Sequence, residues 1–265
     1  TEIYTLSLHD ALPIWQSGED SGIDVSPDVK AEYLFSESYV LYLHALGGRE
    51  LNDYRRLNAF SPYWSLNARM PSTYVPLNAT LGFKASPVNG LWFNVFGGYR
   101  ISKDELFCNL VDADGYYFTH FLQDKAKTAY GGAELKYGYK DWFDASLKGT
   151  FYSWKTDNEN EELYLVTKPK FELNFYAEAK VFEGLKVNLG YEYVQRKEYV
   201  IEEGNSSKDF GLGNISNLSV GASYTFLKDL SVFGRVNNLL NKQYYYEYGY
   251  PAEKLNVLAG LSLAF

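Results

Sequence analysis

From Leu255 to Phe265 the chain alternates almost without fault. Leu255, Val257, Ala259, Leu261, Leu263 and Phe265 share one parity, and Asn256, Gly260, Ser262 and Ala264 the other, with Leu258 the exception. A period of two describes a β-strand with one apolar face and one polar or small face. About ten tilted residues are enough to cross the hydrocarbon layer of a bilayer. The pattern recurs upstream. Val29, Ala31, Tyr33 and Phe35 alternate with Asp28, Lys30 and Glu32, and Tyr39, Leu41, Leu43 and Ala45 continue the row beyond a short turn. Leu77–Ala85 and Leu91–Tyr99 form a second pair, joined at Pro87-Val88-Asn89-Gly90. Ala129–Tyr139 and Phe143–Phe151 form a third, Phe171–Val181 and Leu185–Tyr193 a fourth. Leu218–Phe226 and Val232–Val236 precede the last strand.

The connections alternate as well. Short turns near residues 36, 88, 141, 184 and 228 interleave with long segments near 60, 114, 161, 206 and 247. A stacked sandwich has no reason to keep that order. A membrane barrel does, with tight turns on the periplasmic side and long loops outside. The segment at about 102–126 is acidic, carries Tyr116-Tyr117-Phe118, and has room for an extension hairpin of its own. The fold expected is all-β: an antiparallel transmembrane β-barrel fragment of about eleven strands with short periplasmic turns and long extracellular loops. The charged residues of these strands, among them Glu134, Lys136, Lys148, Glu172 and Glu178, fall on one parity. Turning them inward avoids about 2–4 kcal/mol for each Lys at mid-membrane on the lipid face. A soluble β-sandwich adhesin, with the charged face in water and the apolar face in a core, keeps the same alternation and stands as an alternative.

Composition supports the membrane side of that choice. Tyr (25) outnumbers Phe (17) in a chain of 265 residues that is 18% aromatic, as suits rings at a membrane–water boundary. The mean hydropathy of −0.31 does not count against a barrel, whose strands need only every second side chain to be apolar. The net charge of −8 offers no basic stripe for nucleic acid. Cys108 is the only cysteine and reads as packing. No triad, phosphate-cradling loop, dinucleotide fingerprint or zinc spacing is visible, so no catalytic, metal or cofactor residue is expected. The long loops are where a rigid scaffold would carry recognition. Tyr63, Trp64, Tyr116 and Tyr117 are the candidates there for stacking on a ligand, with Tyr54, Tyr245, Tyr246 and Tyr248 as further loop aromatics.

Residues 1–14, TEIYTLSLHDALPI, break the pattern and resemble a frame translation of a common sequencing adapter. They are expected to be non-native and are set aside from fold reasoning. Residues 15–265 are then expected to be the carboxy-terminal part of a barrel whose gene extends upstream.

The segment Val232–Phe265 resembles the carboxy-terminal end of TonB-dependent outer-membrane receptors. The residues that carry the resemblance are Asn237-Asn238-Leu239-Leu240-Asn241, Lys242-Gln243-Tyr244, Gly249-Tyr250-Pro251 and the final strand ending in Phe. Lys168-Pro169-Lys170-Phe171 and Gly47-Gly48-Arg49-Glu50 look like receptors of this class in Bacteroides-like bacteria. The resemblance implies an outer-membrane location in a Gram-negative bacterium, and energised nutrient uptake through a barrel of about 22 strands with a plugged lumen. It implies partners too: outer-membrane lipid, the barrel assembly machinery reading Leu261, Leu263 and Phe265, and a TonB complex engaged through an amino-terminal part missing here. A surface lipoprotein would be a further partner. A plugless diffusion channel is the alternative within the same membrane. Asn237, Asn238 and Asn241 have a local reading, because Asn bonds its own backbone and tolerates the left-handed region where a strand leaves a sheet.

Overall fold

The computed structural model describes residues 4–8, 14–15, 23–64, 70–113, 116–159, 164–196, 200–203, 206–209, 212–227, 230–247 and 250–263. One antiparallel sheet dominates them. Its strands from residue 28 onward are β1 (Asp28–Ser36), β2 (Tyr39–Glu50), β3 (Thr73–Val88), β4 (Leu91–Ala113), β5 (Tyr116–Tyr139) and β6 (Phe143–Thr156). They continue with β7 (Pro169–Phe182), β8 (Leu185–Arg196), β9 (Ile215–Leu227), β10 (Leu230–Asn237) and β11 (Asn256–Leu263). Each pairs with its neighbours in sequence, so the sheet runs up and down in chain order and is a β-barrel wall left open between its two edges. Tyr4–Leu8 adds a further strand on the outer edge of β1, with Leu8 opposite Val29. Such a ladder needs only the free backbone groups of an open edge. It carries no information on the origin of residues 1–14.

Register keeps the two rows of side chains apart across the sheet. Asn94, Glu134, Lys148 and Asn174 lie side by side on β4 to β7, while Val95, Ala133, Gly149 and Leu173 form the next rung on the opposite face. A slip of one residue would exchange the rows, so the alternation itself fixes the pairing. Part of the polar row is enclosed, and much of the apolar row is bare. Thr128 and Thr150 are each 4% exposed, whereas Val257 and Leu261 on the other row are 68% and 72% exposed. Leu81, Val95, Leu135, Leu147, Phe151 and Val232 join them as exposed members of that row. In water, leaving these eight partly bare forgoes on the order of 6–13 kcal/mol, taking roughly 1.5–3 kcal/mol per fully exposed side chain. That is comparable to the whole stability of a domain. No second large sheet packs on the apolar row among the described residues. The sandwich arrangement is therefore not the one adopted among the described residues; a hydrocarbon surround would satisfy the apolar row.

Turns follow from local chemistry. Gly90 closes the β3–β4 turn at φ 83, and a Cβ there would sit 2.0 Å from the carbonyl oxygen of Gly138, so only glycine fits. Asn238 and Asn241 adopt φ 48 and 50 where β10 leaves the sheet. The Asn238 amide donates to the carbonyls of Lys242 (2.7 Å) and Glu253 (3.1 Å), the backbone role the sequence suggested for these residues. The turn at Lys228-Asp229 lies outside the described residues.

Two long segments hold more structure than a loop. The 102–126 region is strand, carrying β4 and β5 past the membrane-crossing length as one hairpin, with a register shift between Ser102 and Glu105. The 47–76 segment contains a short helix, α1 (Tyr54–Phe60), which begins where the Asp53 carboxylate accepts a hydrogen bond from the Arg56 amide at 2.9 Å. The clusters of buried apolar side chains gather here, whereas on the wall Tyr42, Ala85 and Ile215 are buried singly. Leu57 of α1 packs with Leu106, Cys108 and Phe121 of the hairpin, and Phe107 packs with Ala126 and Leu165.

Candidate functional site

The long connections meet at the end of the wall that carries the β4–β5 extension. Two of them converge on Thr119 of β5, which itself belongs to the extension. Its hydroxyl lies 2.7 Å from that of Ser61, its amide donates to the Tyr63 carbonyl at 2.8 Å, and Trp64 forms a parallel bridge with it. From the β10–β11 connection, Glu247 accepts from the Thr119 hydroxyl at 3.5 Å. Tyr250 stacks face to face on Tyr63, with ring centroids 3.6 Å apart and planes 3° from parallel. From the end of β8, the Arg196 guanidinium donates to the Tyr245 carbonyl at 2.6 Å, and Tyr246 donates to Glu192 at 2.9 Å. Segments far apart in sequence thus form one roof.

Electrostatics divide this region in two. Burial raises the Glu247 carboxyl above the usual range, against the opposing pull of the Ser61 and Thr119 hydroxyls and of Arg196. Carboxyls shifted in this way cluster at functional sites. Beside it runs a brace of ion pairs. Glu50 binds Arg56 (2.6 Å) and Arg100 (3.1 Å), Arg100 binds Glu105 (3.0 Å), and Lys168 binds Glu105 (3.3 Å). The Lys168 ammonium lies 4.8 Å from the Trp154 ring centre and 4.9 Å from that of Phe107. Burial works to raise the Glu105 carboxyl, but Lys168 and Arg100 together outweigh it and hold the group below its ordinary value. A cleft of about 370 Å³ opens beside the brace, lined in part by Tyr152, Trp154, Leu165, Lys168, Lys170 and Gln195. Burial pushes the Cys108 thiol up to about 12, so it is inert;. No metal-holding group of His, Cys, Asp and Glu occurs among the described residues. Hydrogen bonding, aromatic stacking and charge are what the roof offers, which suits binding.

Of the candidates read from sequence, Tyr63 is half-exposed and stacked on Tyr250. Trp64 lies against Tyr54 and Phe121 (5.7 and 5.8 Å between centroids) and packs on the Leu57 cluster. Tyr116 and Tyr117 pair with Ala113 and Asp112 at the hairpin tip, while their side chains, like Tyr248 and Phe265, lie outside the described residues. Leu261 and Leu263 stand exposed on β11. Sequence reasoning passed over Thr119, Arg196, Glu247, Glu105 and Lys168. Glu247 did leave a signal, as the one charge in the run Tyr244-Tyr245-Tyr246-Glu247-Tyr248.

No protein-family model matches the sequence, and no curated protein does. Solved structures do match in shape. The pyoverdine outer membrane receptor FpvA from Pseudomonas aeruginosa PAO1 superposes over 90% of this chain and 36% of its own, with TM-score 0.65 and 16% identity. The FrpB iron transporter from Neisseria meningitidis covers 92% of this chain and 39% of its own, with TM-score 0.61 and 13% identity. The ferric-catecholate import receptor Fiu from K12 E. coli covers 89% and 34%, with TM-score 0.60 and 15% identity. The chain spans between a third and two-fifths of the length of these structures, and it shares their fold over that stretch.

Proposed function

We propose that this chain is part of the barrel wall of a TonB-dependent receptor in the outer membrane of a Gram-negative bacterium. The receptor takes up a nutrient complex and has no enzymatic activity. One observation carries the reading: large apolar side chains on one row of a single sheet stand exposed while Asn94, Thr128 and Thr150 on the polar row are buried, an arrangement foreign to a soluble protein and ordinary for a wall between lipid and water. The roof over Thr119 supports recognition at the outer mouth, where Tyr63, Trp64, Tyr116 and Tyr117 would meet the ligand together with Tyr250 and Glu247. The structures of like shape are named for pyoverdine, iron and ferric-catecholate uptake, and a metal chelate is the substrate class adopted on that basis. Leu261, Leu263 and Phe265 would be read by the barrel assembly machinery, with a TonB complex and a surface lipoprotein as further partners. Residues 1–14 are held to be non-native and 15–265 barrel.

The test expresses the chain in a Gram-negative host. Recovery in the outer membrane, with the 47–76 and 242–253 connections cut by protease added to whole cells, supports the reading. Recovery as a detergent-independent soluble protein contradicts it. In a receptor that carries this wall together with an amino-terminal part able to engage the energising complex of the inner membrane, ferric-chelate uptake that stops when that complex is deleted supports the receptor. Leakage of small solutes unaffected by that deletion supports a diffusion channel instead.

A further inference from the structure

Just beyond the apolar band, the register of β5 and β6 places Lys127 directly opposite Lys155. Both are exposed and share the outward row with Leu135, Leu147 and Phe151, while Thr128 and Trp154 point to the enclosed side. Residues directly opposite in a sheet have Cβ atoms about 4.5–5.5 Å apart, and like charges so placed repel. One rung further from the membrane the chain solves the same problem, since Lys125 there has Asp157 at 3.9 Å. Lys127 and Lys155 have no such partner among the described residues. Among the described residues the fold supplies them no counter-charge, which leaves the pair open to an external anion.

The height of the pair says from where. Ten residues of β5 separate Tyr137, in the lower aromatic girdle, from Lys127. At about 3.4 Å per residue and a tilt of about 40°, that is roughly 26 Å along the membrane normal. An apolar band about 25 Å tall therefore ends at the lysines, on the long-loop side. Directly below them the same face carries a groove of about 480 Å³, floored by Gly131, Ala133 and Gly149 and walled by Val95, Phe151 and Leu173 among others. The floor is not kept low by crowding: a Cβ at Gly131 or Gly149 would meet nothing closer than 3.6 and 3.5 Å.

We propose that Lys127 and Lys155, with this groove, bind a phosphorylated glycolipid of the outer leaflet. Its phosphate lies between the two ammonium groups and an acyl chain fills the channel over Gly131, Ala133 and Gly149. An ammonium is a compact point charge suited to phosphate, and one phosphate dianion neutralises the pair. The inference rests on the membrane placement proposed above.

The experiment first inserts the full chain into vesicles, then measures binding in detergent by native mass spectrometry. The probes are bisphosphorylated lipid A, its dephosphorylated form, and phosphatidylglycerol. The expected result is binding of bisphosphorylated lipid A at least tenfold tighter than either other lipid. The preference is lost in K127Q/K155Q and kept in K242Q/K254Q, which removes the same charge from an extracellular connection. Gly131→Leu should weaken all acylated probes while leaving insertion intact. An inserted chain that binds the three lipids equally, or whose preference survives K127Q/K155Q, overturns this inference and leaves the receptor reading standing. Equal affinity for phosphatidylglycerol alone overturns the glycolipid assignment. Failure to insert overturns both.

Discussion

Glu105 shows how one residue can be misjudged from sequence. In Lys103-Asp104-Glu105 it looks like solvated loop charge, yet it is 2% exposed and held between Arg100 and Lys168. Glu105→Gln leaves Arg100 with Glu50 alone and the buried Lys168 with no counter-charge, and breaking a buried pair in this way costs about 3–5 kcal/mol. Early cleavage of the 164–168 segment by protease, relative to the parent chain, would report that loss. Because the folded carboxyl titrates below its ordinary value, its contribution is intact above about pH 4 and is lost as pH falls through the lowered value;. Glu247 has the opposite sign: its raised value in the folded chain makes the charged form a cost at neutral pH, relieved on acidification;. Hydrogen-exchange protection factors, each taken relative to the intrinsic exchange rate at its own pH, should therefore change in opposite directions between pH 7 and pH 3 for the β4–β5 extension and for residues 244–247. Cys108 offers a simpler check. With its thiol near 12, alkylation at pH 8 should be about a thousandfold slower in the folded chain than in denaturant.

At the level of elements, the strands were legible because period two is a local property and each wall strand repeats it. Leu135 and Glu134 announce their opposite faces without reference to any neighbour. The extension hairpin was only half legible. A register shift at Ser102–Glu105 breaks the parity there, and beyond it Leu106, Phe107 and Cys108 are all buried, because α1 covers one cluster and Leu165 the other. Burial of three consecutive residues depends on what two distant segments lay over them, and no window of sequence contains that information. The same reason hid α1, whose seven residues are far below the length at which a helix stands on propensity alone. The wall's two faces make opposite predictions for one substitution. Leu135→Lys should cost about 2–4 kcal/mol of folding stability in bilayers, while Asn188→Lys on the polar row, opposite Glu178, should cost near zero. Urea titration of vesicle-inserted chain measures both, and equal costs would remove the distinction between the faces.

For the whole molecule, the roof and the wall are different kinds of object. The wall is set by alternation and by the solvent on each side, and Leu261, Leu147 and Val95 declare it from sequence alone. The roof is set by contacts between connections, such as Tyr63 with Tyr250 and Ser61 with Thr119, that no spacing rule anticipates. Aromatic content marked Tyr63 and Trp64 as worth attention, but Trp64 proved to be tied to the packing under α1. Everything proposed for function depends on which face of the wall meets lipid. Nitroxide labels placed one at a time at 93–97 and 133–137 in vesicle-inserted chain decide it, through their accessibility to oxygen and to a water-soluble nickel chelate. Oxygen access peaking at Val95 and Leu135 and nickel access at Asn94 and Glu134, alternating residue by residue, is the predicted result. Nickel reaching both rows equally, or oxygen favouring the polar row, would contradict it.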